Sequence, residues 1–243
     1  MHWLVPATRI FLPANDPGEL ILRVPTVVLF CVRNTVLRNL TYVNCVAVFL
    51  LACASGQPSD GFVNPLLNDV YVPLSRNSNI FLVRSGAATV VAPHIAVTNA
   101  HNSELIAPEE VLAQSQEYDL LFFRTDYSKS PATAAPRIGQ DVIAYGQGNG
   151  GDLREANGVI RALDEAVASR CEECREQSAI VFDADAGPGF SGGPVVDAVT
   201  GSVLAIVFGY RDDPTAASSR LMFAYDIALV RAEMDRLLSR DSR

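Results

Sequence analysis

The feature of this 243-residue sequence that most limits its fold is a succession of short β-type runs. Each run is roughly three to six residues long and rich in Val, Ile, Phe or Ala, and most are separated by Gly, Pro or Asn, as strands between turns are. The runs cover residues 79–84, 87–92, 95–98, 119–124, 141–146, 158–163, 179–183, 194–196, 203–208 and 221–225. Many short strands in series predict an all-β barrel or sandwich.

One amphipathic helix is predicted after the last run. The segment IALVRAEMDRLL, residues 227–238, has apolar residues at 227, 230, 234, 237 and 238, which is the spacing of one helix face. Asp226 stands directly before it, where a carboxylate caps a helix N-terminus. Too few residues follow this helix for an appended PDZ-type peptide-binding domain, so none is expected.

An export segment is predicted near the N-terminus. Residues 40–54, LTYVNCVAVFLLACA, follow Arg33 and Arg38 and run into the polar stretch at 55–61. The order of basic, apolar, small and polar residues is that of a secretory signal, and the run is short for a membrane span of about 20 residues. The material in front of it, residues 1–35, leads us to expect translation to begin later, at Val32 or Val36.

The end of the apolar run resembles a bacterial lipobox. The sequence LLAC at residues 50–53 predicts lipidation of Cys53, which would become the mature N-terminus. A single uncleaved membrane anchor is the alternative. We therefore assign residues 1–60 to a signal, lipoprotein-like or anchor segment, and expect an exported protein of the bacterial periplasm or cell envelope, with a possible membrane tether.

Two cysteines lie outside the N-terminal region, in the motif CEEC at Cys171 and Cys174. In an oxidising compartment the pair predicts a local disulfide, with two unpaired thiols as the alternative. A tetrahedral zinc site usually needs a second ligand pair, and the sequence offers none, so no metal is predicted.

The charge balance argues against one class of partner. The chain carries 19 basic and 27 acidic side chains, a net charge of -8, with no basic patch. Proteins that bind nucleic acid backbones rely on clustered positive charge. No nucleic acid is therefore expected as a partner.

The strongest local motif is GPGFSGGP at residues 187–194. A serine nucleophile needs a base, a group that orients the base, and donors for the oxyanion. Glycines allow the tight turn that aims successive amides, here those of Gly189 and Ser191, at one point. A serine among glycines is also compatible with a simple turn.

His101 is the candidate base among three histidines. His2 lies in the N-terminal segment and His94 at a Pro-His turn, where a solvated loop histidine is expected. His101 follows a β-type run, at a strand end where a side chain can face a cleft, although a purely structural histidine is also compatible with this position. Asp119 opens the run DLLFFR, and Asp126 just past its end is the reserve candidate for the orienting carboxylate.

These motifs come in a recognisable order. TNAH, DLLFFR, IGQDVIAYGQGNGG, NGVIRAL, GPGFSGGPVVD and GSVLAIVFGY resemble the landmarks of the trypsin-like, chymotrypsin-fold serine peptidases, and look most like their bacterial branch with the HtrA-type enzymes. The resemblance runs over residues 79–238. It implies a domain at 75–243 built from two six-stranded antiparallel β-barrels, at about 75–130 and 137–225, with the C-terminal α-helix at 227–238.

The resemblance also implies a function and its residues. His101 would be the general base, Asp119 its orienting carboxylate and Ser191 the nucleophile, in the chain order of chymotrypsin, with the Gly189 and Ser191 amides as the oxyanion hole. The expected activity is that of a serine endopeptidase working through an acyl-enzyme, with no cofactor and a protein or peptide substrate. The alternative is a catalytically silent trypsin-fold binding module at the cell envelope, favoured by the short spacing from His101 to Asp119 and by Phe190.

Departures from the family concern activation and specificity. Phe190 stands where digestive members carry an aspartate that receives the freed N-terminus, so activation by propeptide cleavage is not implied. Asp185 coincides by offset with the aspartate that selects Arg or Lys in trypsin, although Asp183 or Asp185 could equally be a solvated turn carboxylate. Phe208 lies on the strand that would form a pocket wall, and Tyr210 just after it would narrow the pocket.

Overall fold

The computed structural model describes residues 55–79, 82–148, 151–167 and 177–239. The predicted signal at 40–54, with the lipidation site Cys53, lies outside the described residues, as do Cys171 and Cys174. The predicted lipid anchor and disulfide therefore stay predictions.

The described chain is mostly β-structure. In chain order the strands are β1 (Gln57–Pro58), β2 (Tyr71–Asn79), β3 (Leu82–Ala92), β4 (Ile95–Thr98), β5 (Val111–Gln114), β6 (Leu121–Arg124), β7 (Asp141–Gln147), β8 (Leu153–Val167), β9 (Gln177–Ala184), β10 (Pro194–Asp197), β11 (Val203–Asp212) and β12 (Arg220–Asp226). Short 3₁₀ helices occupy Pro65–Asp69, Ala100–Leu105 and Pro108–Glu110, and an α-helix, α1 (Ile227–Leu238), follows β12 directly.

The C-terminal strands close into a barrel. The order β8-β7-β10-β11-β12-β9 returns to β8, which pairs with both β7 and β9, and β1 is added on the outside of β8. Apolar side chains such as Phe182, Val195 and Leu204 are fully or almost fully buried within this sheet. The prediction of an all-β fold with a six-stranded antiparallel barrel is confirmed for this half.

The N-terminal strands form a smaller antiparallel sheet in the order β2-β3-β4-β6-β5. Within the described residues it has five strands, where six were predicted for the first barrel. The connection from β4 to β6 is short and holds only the four-residue β5 beside two 3₁₀ turns. This connection has no room for another long strand.

The fold begins earlier than the predicted boundary at residue 75. Leu67, Val70 and Tyr71 are each at most 6% exposed and belong to the main hydrophobic core. The 3₁₀ turn at Pro65–Asp69 directs Leu67 inward, with Asn64 capping its first amide. The segment just before residue 75 thus contributes core residues.

Helix α1 begins where the sequence predicted it. The Asp226 carboxylate accepts a hydrogen bond from the Ala228 amide at 2.7 Å, which is the expected N-cap. Val230 and Met234 are buried, and the buried Glu233 accepts a hydrogen bond from the Ser115 hydroxyl in the turn between β5 and β6. The helix therefore packs against both sheets. No helix within the described residues has the length and apolar character to cross a bilayer.

Candidate active site

His101 lies in the 3₁₀ turn Ala100–Leu105 that follows β4. Its Nδ1 is 2.6 Å from Asp119 Oδ2, and its backbone amide donates to Asp119 Oδ1 at 3.1 Å. A carboxylate only accepts, so Nδ1 carries the proton and Nε2 is left as the acceptor. About half of the His101 side chain is exposed, against 15% of the Asp119 side chain, so the base faces solvent while its partner is covered.

Asp119 is held by its own backbone as well. Its carbonyl accepts from the Asn99 amide group at 2.9 Å, and its N–H donates to the Tyr225 hydroxyl oxygen at 3.2 Å. Burial raises the pKa of Tyr225, and the nearby Asp119 charge also raises it while the backbone hydrogen bond lowers it. Tyr225 therefore stays protonated and does not compete with the imidazole as a base.

Ser191 lies in the turn between β9 and β10, and its backbone is tied to the sheet that carries His101. The Ser191 carbonyl accepts from the Ala87 amide at 3.0 Å and from the Asn102 side-chain amide at 3.1 Å. Asn102 is the residue directly after His101. The nucleophile candidate is therefore anchored to the turn that holds the base candidate.

The Ser191 hydroxyl and the His101 ring do not share a hydrogen bond among those formed within the described residues. Hydrogen bonds of this kind are often long until substrate is bound. The structure thus joins the predicted base to its carboxylate directly and to the predicted nucleophile through Asn102.

The amides of interest in the loop before Ser191 are those of Gly189 and Ser191. Within the described residues neither Gly189 nor Ser191 donates its N–H, whereas the Phe190 amide is bonded to the Gly187 carbonyl at 3.1 Å. Gly189 has φ of 91°, and a Cβ there would lie 1.9 Å from the Gln147 carbonyl oxygen. Only glycine fits this position, and the two amides are those predicted to hold an oxyanion.

Phe190, in the same loop, is fully buried. A Cβ on Gly146 would lie 2.5 Å from Phe190 Cγ, and one on Gly56 would lie 2.6 Å from its Cζ. The ring therefore fills a slot between these two glycines. Sequence reasoning noted Phe190 as unusual but gave it no partner.

The predicted pocket residues have separate environments. Asp185 is 74% exposed at its side chain and lies 3.7 Å from Arg220, while Phe208 stacks on Tyr225 with ring centroids 4.1 Å apart. Tyr210 has the Arg220 guanidinium carbon 5.2 Å from its ring centre. The predicted specificity aspartate is thus a surface carboxylate next to an arginine of this chain.

Asp183 differs from Asp185 in being buried. Burial raises its pKa, but hydrogen bonds from Ser218 and Ala217, with a further one from Arg161, outweigh this and lower the pKa below its usual value. It holds the hairpin between β11 and β12 and is not a solvated turn carboxylate.

Sequence reasoning missed three residues of the site: Asn102, Tyr225 and Arg220. Each acts on a residue far away in the chain, so local patterns give little signal. Asn102 alone had a local clue, because it follows His101 directly in TNAHN. Among the described residues, no group of three or more His, Cys, Asp or Glu side chains is placed to hold a metal.

The architecture is a closed antiparallel barrel beside a smaller antiparallel sheet, which is that of the chymotrypsin-type fold. The smaller sheet carries the His-Asp pair, and the barrel carries the glycine-flanked serine. The sequence model of the trypsin-like peptidase domain matches residues 81–206. The chain belongs to this family.

Among curated proteins the chain is similar to "Protease Do-like 1, chloroplastic" of Arabidopsis thaliana. The two are 29% identical over 136 residues, which is 53% of this chain and 30% of that protein. The chain thus matches less than a third of the length of this relative, a protein named as a protease.

Solved structures share the fold. The Rv3671c protease from M. tuberculosis in its active form has a TM-score of 0.56 at 20% identity, over 74% of this chain and 88% of that one. The HtrA-type protease AlgW with a tripeptide gives 0.56 at 18% identity, over 74% and 65%. The MamO protease domain from Magnetospirillum magneticum gives 0.56 at 15%, over 69% and 97%. At these identities the likeness concerns the fold alone.

Proposed function

We propose that this protein is a serine endopeptidase with His101 as general base, Asp119 as the orienting carboxylate and Ser191 as nucleophile. The observation that carries the proposal is the His101 Nδ1 to Asp119 Oδ2 hydrogen bond of 2.6 Å, on a turn whose next residue, Asn102, is bonded to the Ser191 carbonyl. A base fixed in one tautomer and anchored to a serine is the arrangement that acyl transfer needs.

The proposed reaction has two halves. Ser191 attacks the peptide carbonyl while His101 Nε2 takes the hydroxyl proton, and Asp119 stabilises the imidazolium. The amides of Gly189 and Ser191 hold the oxyanion. His101 then protonates the leaving amine, and water repeats the sequence to release the acyl group.

The second candidate is a catalytically silent binding module. Two observations favour the binding module: the Ser191 hydroxyl and the His101 ring share no hydrogen bond, and the aromatic Phe190 lies in the loop 187–191 that leads to Ser191. A binding module has no need of a solvent-facing imidazole fixed by a carboxylate, which is why the peptidase is preferred.

Labelling of the native protein with a fluorophosphonate probe separates the two candidates. The peptidase is expected to label, Ser191→Ala to lose labelling, and His101→Ala to slow it by at least about 10⁴-fold, since triad members act as a unit. His94→Asn and Ser103→Ala are the matched controls, because both residues are exposed and neither is proposed to take part in the reaction. A folded wild type that does not label would favour the binding module.

We further propose that the protein is exported and tethered to the cell envelope through Cys53. The support is the sequence pattern at residues 40–54. Mass spectrometry of the mature N-terminus should find an acylated Cys53. A tryptic peptide that spans residues 50–56 uncleaved would contradict the lipid anchor.

A further inference from the structure

A buried carboxylate of helix α1 contacts the turn that carries Asp119. Glu233 is 4% exposed at its side chain, and its Oε1 accepts a hydrogen bond from the hydroxyl of Ser115, which is itself buried. Arg236, one helical turn further along, donates to Glu233 Oε2 through Nε and to Oε1 through Nη2, each at 2.6 Å. These paired hydrogen bonds from one guanidinium fix the orientation of the carboxylate.

The hydroxyl of Ser115 organises the turn between β5 and β6. A carboxylate only accepts hydrogen bonds, so the single hydroxyl hydrogen of Ser115 points to the helix and its lone pairs are left for other donors. They accept from the Glu117 amide at 3.1 Å and from the Tyr118 amide at 3.0 Å. The Ser115 amide donates to the Leu120 carbonyl at 2.9 Å, which closes the turn around Asp119.

We propose that Glu233 and Ser115 are positioning residues for Asp119, and through it for the general base His101. The inference rests on the proposed peptidase function and deepens it. Asp119 directly follows the two amides that Ser115 holds, and its carboxylate accepts from the His101 ring at 2.6 Å and from the His101 amide at 3.1 Å. The helix therefore orients the turn, and the turn orients the carboxylate.

The physical reason for a positioning role is that the network specifies one geometry of the turn. A buried carboxylate paired with an arginine adds little stability compared with apolar packing, because both charges lose water. Its hydrogen bonds are directional, however, and they select the one hydroxyl orientation of Ser115 that serves both amides of the turn. A shift of about 1 Å in a catalytic group can cost about 100-fold in rate, so this geometry matters for the His101–Asp119 pair.

The rate of labelling by a fluorophosphonate probe tests this inference without a known substrate. Ser115→Ala should lower the rate at saturating probe by about 10- to 100-fold, the cost of misplacing a catalytic group, with the half-saturating probe concentration nearly unchanged. Glu233→Gln keeps the side-chain volume and should lower the rate by about 10-fold. Its amide group can donate to the Ser115 hydroxyl oxygen and so occupy a lone pair that the turn needs.

Three variants are the matched controls. Gln116→Ala changes an exposed side chain of the same turn, and Asp235→Asn changes an exposed carboxylate of the same helix. Val230→Ala removes buried volume from the helix, so it lowers the stability of the fold while Glu233 and Ser115 are retained. All three should label at the wild-type rate while folded. If Val230→Ala slowed labelling as much as Ser115→Ala does, the network would be merely structural and the proposal would fail.

A second measurement does not depend on activity. In wild type the Nδ1 proton between His101 and Asp119 should give a proton NMR signal far downfield, because the hydrogen bond to the carboxylate is short. The signal should shift or broaden in folded Ser115→Ala and Glu233→Gln and persist in Asp235→Asn.

An unchanged NMR signal or an unchanged labelling rate in folded Ser115→Ala would overturn the proposal. If Ser115→Ala does not fold, Glu233→Gln decides by the same two readouts. Failure of wild type to react with the fluorophosphonate would instead reject the peptidase function itself, and the NMR signal alone would then decide whether Glu233 and Ser115 position Asp119.

Discussion

The two halves of the candidate site are held in place by different means. On the five-stranded sheet, His101 and Asp119 are fixed by hydrogen bonds that involve side chains. The His101 ring and the Asn99 amide group donate to Asp119, and the Asp119 N–H donates to the Tyr225 hydroxyl oxygen. On the barrel, the Ser191 loop is fixed by close backbone approach, with the Gln147 carbonyl against Gly189. The half with His101 and Asp119 therefore depends on polar side-chain atoms that form hydrogen bonds. The half with Ser191 depends on glycine, which has no side chain to block the close backbone approach.

The largest expected effect on kcat comes from changing the hydrogen bond between His101 and Asp119. Asp119→Asn should lower kcat by about 10⁴-fold with the fold intact, because an amide group facing Nδ1 stabilises the wrong tautomer. Steady-state kinetics and thermal unfolding measure the two properties. Asp126→Asn is the control, since Asp126 is exposed just past β6, and a greater loss there would transfer the orienting role to Asp126.

The Ser191 loop should be sensitive to a larger side chain at Gly189. Gly189→Ala is expected to lower kcat by about 10² to 10³-fold, the cost of losing an oxyanion donor, because its Cβ clashes with the Gln147 carbonyl. Gly139→Ala has a similar φ of 80° with nothing within 4 Å of its Cβ. Comparing the two in a kinetic assay separates the clash from backbone strain, and equal effects would refute the steric argument.

Asn102 connects the two halves, so its loss should affect both moderately. Asn102→Ala removes the hydrogen bonds to the Ser191 carbonyl and to Thr98 Oγ1 and should destabilise the fold by about 1–3 kcal/mol. A fall of kcat by about 10-fold at nearly constant KM is expected, because the nucleophile loses its anchor. Ser103→Ala on the same turn is the control. A wild-type kcat in Asn102→Ala would mean that the two sheets align without it.

The smallest effect concerns a barrel turn held by a side chain. The Thr200 amide and the Gln140 side chain lower the pKa of Asp197 to about 2. Since this lies below the unfolded value of about 3.9, Asp197 stabilises the fold above that pH, and the contribution is lost as pH falls through about 2.

Asp197→Asn should therefore cost no more than about 1 kcal/mol near neutral pH, because the group is partly exposed and screened. Urea unfolding at several pH values would measure it. The difference from wild type should vanish near pH 2, in about the range where the carboxylate is protonated, and a constant difference would contradict the assigned cause.

The all-β class and helix α1 could be predicted because their signals are local. Strand runs are marked by turn residues, and the helix by its apolar spacing and the Asp226 cap. Of strand β2, the predicted run 79–84 reached only the last residue, Asn79. Pro73 and polar residues break the pattern of this strand, which an edge strand tolerates. Strand β5 was missed because its four residues, VLAQ, are flanked on both sides by polar residues, Glu109 and Glu110 before it and Ser115 to Glu117 after it.

The site divides in the same way. His101, Asp119 and Ser191 stand out because motifs mark them, and the structure brings the first two into contact. Asn102, Tyr225 and Arg220 act on partners distant in the chain, so only the folded structure places them. The environment of Asp185 likewise depends on Arg220, which is 35 residues further along.

The buried ring of Phe190 has a consequence for how the protein would be activated. Where a newly cut amino terminus must reach an aspartate, a second protease decides when the enzyme starts to work. In this protein the ring of Phe190 is wedged between Gly56 and Gly146, so the packing of the folded chain itself holds the loop 187–191. If the protein is the peptidase proposed above, we expect its activity not to depend on a newly cut amino terminus.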